Sequence, residues 1–385
     1  MWQTGLGIRP APVQGTGMME EGGPVMKRKR GCLAKGILLG VSVVFCLVAA
    51  EVALRLLPGA KKYDPGVMDP GLLAYDSVMG WKPVSNWSGK HRHEDFEARY
   101  STNLKGLRGP YHHGGGEPPV VVLGDSFTFG LGVGDDETFV ARLNELEGAG
   151  TYLNAGVVGF STDQELLFLE RLQEFHDYRQ AVLVVYLGND LIDNSLERPL
   201  QAGKPKPRFV ADGGGLVLTN TPVPRDPAAI PPAPSMAGIV LGGGGRGHGL
   251  LHRSAVFRKA VELREAGRTV EWSPATGEHF ELFTKIVGRL TERLDPGWRL
   301  PMVLVPGRSP VAEPGSLSAK YQDFVRGQIL GHDWGGKVRV IDVAAPLKEA
   351  AAAGKVLYFP NEGHLNAEGH RLVAEELHRA GVSGK

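Results

Sequence analysis

Val120-Val121-Val122-Leu123-Gly124-Asp125-Ser126 is the stretch whose reading decides the fold. Four apolar residues in a row suit a strand buried on both faces, and Gly124 permits a tight turn that sets Ser126 at the start of a helix. The same pattern recurs outward along the chain. Apolar runs of strand length stand at 120–123, 152–154, 182–186, 301–305 and 338–341, and amphipathic stretches at 138–146, 163–174, 321–330 and 367–380. Strands alternating with crossover helices predict a parallel sheet covered on both sides. The expectation is an α/β domain over residues 119–385, three-layer α/β/α and flavodoxin-like, with about five strands.

Two regions interrupt or precede that alternation. Residues 58–118 form a polar lead-in, including Met79-Gly80-Trp81-Lys82-Pro83, expected to pack as short strands and turns. From about 197 to 278 Pro, Gly and short polar clusters dominate, which marks an insertion of the kind used as a lid or cap. Within it Phe209-Val210 and Leu216-Val217-Leu218 are expected to pair as a hairpin, and residues 250–266 to be helical. Much of the chain's 54 Gly and 27 Pro falls in such loops, with no repeat of fixed period.

The N-terminus reads as an address. Residues 36–50 carry no charge, and with the continuation to 57 they reach the roughly 20 residues of a membrane-spanning helix. Lys27, Arg28, Lys29, Arg30 and Lys35 precede them, which predicts a cytoplasmic basic tail over 1–35, a signal-anchor over 36–57 and the remainder outside the cytoplasm. Met26 directly before the basic run reads as the natural start, with residues 1–25 a misassigned extension. Glu51 and Arg55, four apart, are expected to pair on the helix. Ala49-Ala50 offers small residues to a signal peptidase, so secretion after cleavage stands as the alternative.

Bulk numbers exclude several classes. The 43 basic and 42 acidic residues nearly cancel, which leaves no global field for nucleic acid. Both cysteines, Cys32 and Cys46, lie in or beside the apolar segment, so the exported part has neither a disulfide framework nor a cysteine metal site. His91-Arg92-His93 and His112-His113 lack a third ligand, and no metal or cofactor is expected. Gly130-Leu131-Gly132-Val133-Gly134 has neither dinucleotide-loop spacing nor a following Gly-Lys-Ser/Thr.

In an open α/β sheet the ligand site lies beyond the carboxyl ends of the strands. There stand Gly124-Asp125-Ser126, Asn154-Ala155-Gly156-Val157-Val158-Gly159 and Leu187-Gly188-Asn189-Asp190, and near the chain end Asn361-Glu362-Gly363-His364. By itself Gly124-Asp125-Ser126 also fits a plain helix cap. The Gly-x-Ser-x-Gly fingerprint is not met, because Thr128 holds its last place. The order of these four blocks resembles the SGNH (GDSL-like) hydrolases, over roughly residues 120–376.

The resemblance implies Ser126 as nucleophile and His364 as its base, with His370 the nearest rival. It implies an oxyanion hole from the N–H groups of Ser126 and Gly159 and the side-chain amide of Asn189, each such donor worth about 3 kcal/mol. Gly156 competes with Gly159 for that place, and Asp125 and Asp190 are nearby candidates. The family usually carries Asp three residues before the His, and some relatives two before; here Asn361 and Glu362 hold those positions. A carboxylate orients the imidazole and stabilises its cation, so Glu362 is the candidate acid and Asn361 the alternative. Phe127 replaces the fourth letter of GDSL and reads as packing.

The implied activity is a membrane-anchored extracytoplasmic serine esterase that removes O-acyl groups from carbohydrate or small lipid esters through an acyl-enzyme. The alternatives are an O-acyltransferase acting on envelope polysaccharide and a non-catalytic envelope-binding protein. The implied partners are an ester substrate, including an acylated glycan, and the membrane through the N-terminal helix.

Overall fold

The computed structural model describes residues 27–56, 64–110, 118–241, 256 and 269–382, and of residues 27–33 and 54–56 only the backbone. The chain divides into two compact units, Met1–Leu56 and Leu57–Lys385. The first holds helix α1 (Lys27–Leu56). Its 20-residue stretch Ala34–Ala53 is long and apolar enough to cross a membrane, and none of it is buried. The basic side chains at 27–30, Cys32, the Glu51–Arg55 pair and residues 1–26 lie outside what is described, as do His112-His113, Gly242 to Gly245 and nearly all of the helix expected at 250–266.

The second unit opens with the lead-in, which builds five short strands: β1 (Val67–Met68), β2 (Leu73–Asp76), β3 (Gly80–Pro83), β4 (Ser88–His93) and β5 (Phe96–Ser101). β2 pairs with β3, and β1, β4 and β5 form a three-stranded antiparallel sheet. His93 pairs with Phe96 in register, so Glu94 and Asp95 form the tip of the β4–β5 hairpin.

The main domain follows as β6 (Val120–Gly124), α2 (Ser126–Phe129), α3 (Phe139–Glu147), β7 (Tyr152–Gly156), α4 (Thr162–Gln173), β8 (Ala181–Tyr186) and α5 (Asp190–Asp193). Next come β9 (Arg208–Asp212), β10 (Gly215–Thr219), α6 (Met236–Val240), α7 (Pro274–Thr291), β11 (Leu300–Val305) and α8 (Ser309–Ala312). The chain ends in α9 (Leu317–Gly331), β12 (Val338–Asp342), α10 (Ala344–Ala352) and α11 (Ala367–Ala380).

The sheet order is β12-β11-β8-β6-β7, all pairs parallel. This is the three-layer, flavodoxin-like arrangement, with its switch point between β6 and β8, where a crevice opens beyond the strand ends. Strand alternation feeds two cores. Val121, Leu123, Leu183 and Leu304 meet Phe283, Ile286 and Leu290 of α7 on one face. Val120, Val122, Val184 and Val303 meet Phe139 and Leu143 of α3 and Val373 and Leu377 of α11 on the other. Each such side chain contributes about 1.5–3 kcal/mol by leaving water.

β9 and β10 pair antiparallel around Gly213 and Gly214, at φ 55° and 92°, values that a tight two-residue hairpin turn demands and glycine supplies. The structure adds α7 and α10, which the periodicity did not predict. α7 starts inside the Pro/Gly-rich region, and its local signal is Ser273-Pro274: the Ser273 hydroxyl accepts the Ala275 N–H, and proline takes the first turn where no N–H is needed. α10 is alanine-rich and buries Ala344 and Leu347, too few large residues to produce a stripe. α9 begins four residues earlier than periodicity places it, at Leu317, because Ser316 caps it by accepting the Ala319 N–H.

Candidate active site

β6 delivers the first residue to the switch point. Gly124 has φ 158°, and a Cβ there would stand 2.1 Å from Thr128 Oγ1, so the sharp exit from the strand needs glycine. Asp125 accepts the Phe127 N–H at 2.8 Å and caps α2, which does not exclude a second use for Ser126, the first residue of that helix.

The loop before α11 brings the partner. It is pinned by the Phe359 N–H on the His364 carbonyl at 2.9 Å and by Asn366, which caps α11 through the Gly369 N–H. His364 Nε2 lies 2.7 Å from Ser126 Oγ, and its Nδ1 lies 2.7 and 2.8 Å from the two carboxylate oxygens of Glu362. Glu362 is buried and also accepts the His364 backbone N–H at 2.9 Å. A carboxylate can only accept, so Nδ1 carries the proton and the bare Nε2 faces the serine hydroxyl. Asn361 is turned away: its side-chain amide donates to Asp95 Oδ1 at 2.8 Å. Of the two residues that compete for the acid position, Glu362 is the one hydrogen-bonded to the imidazole.

Phe127 stacks on Tyr186 with ring centroids 4.4 Å apart and lies tilted against His364 at 4.5 Å, so its packing helps fix the imidazole. Asp125 Oδ2 is a distant second neighbour of Ser126 Oγ at 3.5 Å. Burial pushes the Asp125 carboxyl up to about 6, with His364 opposing. Asp190 accepts the Tyr186 N–H at 2.7 Å, and burial beside Asp125 and Glu165 raises it well above the ordinary carboxylate range. Neither Asp125 nor Asp190 touches Nδ1 of His364.

The predicted oxyanion donors separate. Gly159, at φ 79°, lines the same cavity as Ser126 and His364, and Trp81 Nε1 anchors its loop on the Val158 carbonyl at 3.1 Å. Gly156 instead packs on α2, where a Cβ would stand 2.2 Å from the Phe129 nitrogen. Asn189 follows β8, is buried, and gives one amide N–H to Asp193 at 2.5 Å, which leaves the second N–H for another acceptor. Its side chain does not line the cavity. His370 is buried, accepts the Phe139 N–H at 3.2 Å and is pushed down to about 3 by burial, so it stays neutral and structural.

The cavity encloses about 680 Å³, within the range of small-molecule sites. Met68, Leu73, Trp81, Leu131 and Val158 give it an apolar wall, and Gln201, Lys204 and Arg308 a polar rim. Three side chains there escaped the sequence reading: Trp81, Tyr186 and, beneath the rim, Asp95. Trp81 and Tyr186 read as ordinary strand residues, and a turn aspartate carries no signal of its distant partner. A second cavity of about 380 Å³ is lined by Arg108, Asp135 and Asn154. Its Arg108 is committed to Asp135 and to the Phe129 and Val133 carbonyls, which makes it a brace. Among the described residues no group of three or more His, Cys, Asp or Glu could hold a metal ion.

The family model described as GDSL-like Lipase/Acylhydrolase matches residues 122–372. Among solved structures the chain is similar to a member of the lipolytic protein G-D-S-L family from Veillonella parvula, with 12% identity, TM-score 0.39, and coverage of 68% of this chain and 96% of that one. It is similar to the lipase Lip_vut3 from a goat rumen metagenome, with 14% identity, TM-score 0.38 and coverage of 69% and 98%. It is also similar to the acetyl xylan esterase AlAXEase, with 13% identity, TM-score 0.35 and coverage of 68% and 98%. No curated protein matches the chain. The family match extends over well over half of the sequence, from the first strand of the sheet into its last helix, and the chain therefore belongs to the GDSL-like, or SGNH, hydrolases and is a serine ester hydrolase.

Proposed function

We propose that Ser126, His364 and Glu362 form the catalytic triad of a membrane-anchored esterase. The observation that carries this reading is the continuous hydrogen-bonded chain from Ser126 Oγ through His364 to Glu362. His364 Nε2 takes the hydroxyl proton as Oγ attacks the ester carbonyl, and Glu362 stabilises the imidazolium so formed. The proton then passes to the leaving alcohol, and an acyl-enzyme remains on Ser126. Water, deprotonated by His364, releases the acid and restores the hydroxyl. The N–H groups of Ser126 and Gly159 receive the oxyanion from the cavity wall, and the free N–H of Asn189, whose amide is held by Asp193 outside that wall, joins them when the ester is bound.

The substrates are O-acyl groups on envelope carbohydrate or small lipid esters. Support comes from a cavity with an apolar wall for an acyl group and a polar rim of Gln201, Lys204 and Arg308 for an alcohol rich in hydroxyls. Helix α1 is read as an uncleaved single-pass anchor with the hydrolase outside the cytoplasm, a reading supported by its length and by the basic residues before it. Ser126→Ala should abolish hydrolysis of p-nitrophenyl acetate by the purified protein, and retained activity would overturn the triad. The intact mass of protein extracted from membranes tests the anchor: loss of residues up to about Ala50 would identify a cleaved signal.

A further inference from the structure

Asp95 sits at the tip of the β4–β5 hairpin, in the lead-in that precedes the hydrolase sheet. Its side chain is only 5% exposed, although hairpin tips usually face water. The carboxylate is taken up by the loop that carries the acid. Oδ2 accepts the backbone N–H of Asn361 at 2.8 Å and that of Glu362 at 2.9 Å, and Oδ1 accepts the Asn361 side-chain amide at 2.8 Å. The next hairpin residue, Phe96, packs on Phe359 of the same loop with ring centroids 4.8 Å apart. Burial disfavours the charged form, but these N–H groups outweigh it and hold the carboxyl below its ordinary range.

We propose that Asp95 is the positioning residue for the catalytic acid: by gripping both N–H groups of the Asn361-Glu362 turn it fixes the backbone from which Glu362 reaches His364. This inference rests on the reading of Glu362 as the acid of the triad. It also explains the amide at 361, a position where the family usually has a carboxylate. A carboxylate there would face Asp95 with like charge, whereas the amide supplies the donor that Oδ1 accepts. The grip reaches the reacting serine through Glu362 and then His364, so its loss acts first on the orientation of the base; the gripped turn forms one edge of the cavity, and the apolar wall of Met68, Leu73, Trp81, Leu131 and Val158 comes from other segments. A misplacement of about 1 Å at such a site costs up to about 100-fold in rate.

The test is kinetic, with the full-length protein in detergent and p-nitrophenyl acetate as substrate. Asp95→Ala should lower kcat by about 10- to 100-fold, with KM within about twofold and Tm within a few degrees of the parent. Asn361→Asp alone should impair kcat, because it sets two carboxylates face to face, whereas Asp95→Asn alone should be tolerated, because the Asn361 amide turns over and offers its oxygen to the new NH₂. The double variant Asp95→Asn/Asn361→Asp should recover to within about threefold, since the new amide oxygen takes both backbone N–H groups and its NH₂ donates to the new carboxylate. Rescue by exchange cannot come from a merely bulky or structural contact. Asp95→Ala at the parental rate, a loss that tracks a collapse in Tm, or a double variant no better than Asn361→Asp alone would overturn the role of Asp95. Glu362→Gln, measured in parallel, separates the two levels. Full activity in that variant overturns the acid itself, whereas an impaired Glu362→Gln beside an unimpaired Asp95→Ala overturns only the positioning role.

Discussion

Replacing Glu362 by glutamine keeps the size of the side chain and exchanges one acceptor for a donor, which makes it the sharpest probe of the site. In the parent both carboxylate oxygens lie within 2.8 Å of His364 Nδ1, and Oε2 also takes the His364 backbone N–H at 2.9 Å. A glutamine cannot satisfy both. With its NH₂ in the place of Oε2 it confronts the backbone N–H. With its NH₂ in the place of Oε1 it confronts Nδ1, and the imidazole relieves the clash by moving its proton to Nε2. That nitrogen stands 2.7 Å from Ser126 Oγ and, once protonated, can no longer accept the hydroxyl proton. The stabilisation of the imidazolium is lost as well. The corresponding exchange in a serine protease costs about 10⁴ in kcat, so a loss of about 10³ to 10⁴ is expected here, equivalent to about 4 to 5.5 kcal/mol. KM should stay within about threefold, because Glu362 acts on the base and not on bound ester. Steady-state hydrolysis of p-nitrophenyl acetate measures both constants. A variant retaining more than about a tenth of the parental kcat, or an Asn361→Ala variant damaged as severely, would refute the assignment of the acid.

Asn189→Ala should lower kcat by about 10² to 10³ with little change in KM, as removal of one oxyanion donor does; equal losses in binding of a product analogue would argue against that role. In Asp193→Asn the amide oxygen is taken by the Leu200 N–H, which leaves the NH₂ facing Asn189, so the Asn189 amide turns over and kcat should fall comparably. The same variant has a stability signature. Burial pushes the Asp193 carboxyl up to about 6, against its hydrogen bonds from Leu200 and Asn189, so the native state holds this proton while the unfolded state releases it near pH 4. The parent should therefore lose stability relative to Asp193→Asn as pH rises from about 4 to 6, by up to about 3 kcal/mol, and denaturant titrations that show the opposite slope would sink the idea. Lys206→Met strands the fully buried Asp163 carboxylate without its cation and should cost about 3 to 5 kcal/mol in urea unfolding. Deletion of residues 1–56 should release the hydrolase from membranes with kcat/KM unchanged; activity that stays with the membrane fraction would point to a second attachment.

The sheet was legible because buried parallel strands are continuous apolar runs, too short for a core helix and bounded by turn residues. Val120–Gly124, Ala181–Tyr186 and Leu300–Val305 begin and end within a residue of where hydrophobicity alone puts them. Helix Ala367–Ala380 carries a strong stripe and was read to the residue. α10 was not, because alanines bury little area and leave no period, and α7 was hidden by the Pro/Gly-rich region in which it begins. Ser126, Gly159 and Asn189 could each be placed after a strand by counting along the chain, and His364 just before the last helix. Their mutual distances could not.

What the sequence determined by itself is the order of the blocks, the parallel sheet that carries them and the apolar helix at the N-terminus, because periodicity and local turn chemistry act over a few residues. What only the tertiary structure decided is which of two adjacent residues meets His364. Successive side chains leave the backbone in different directions, and the direction is set by how the 357–365 loop is held. That loop is held by Asp95, which lies 266 residues away in the chain and becomes a neighbour only when the lead-in packs against the end of the sheet.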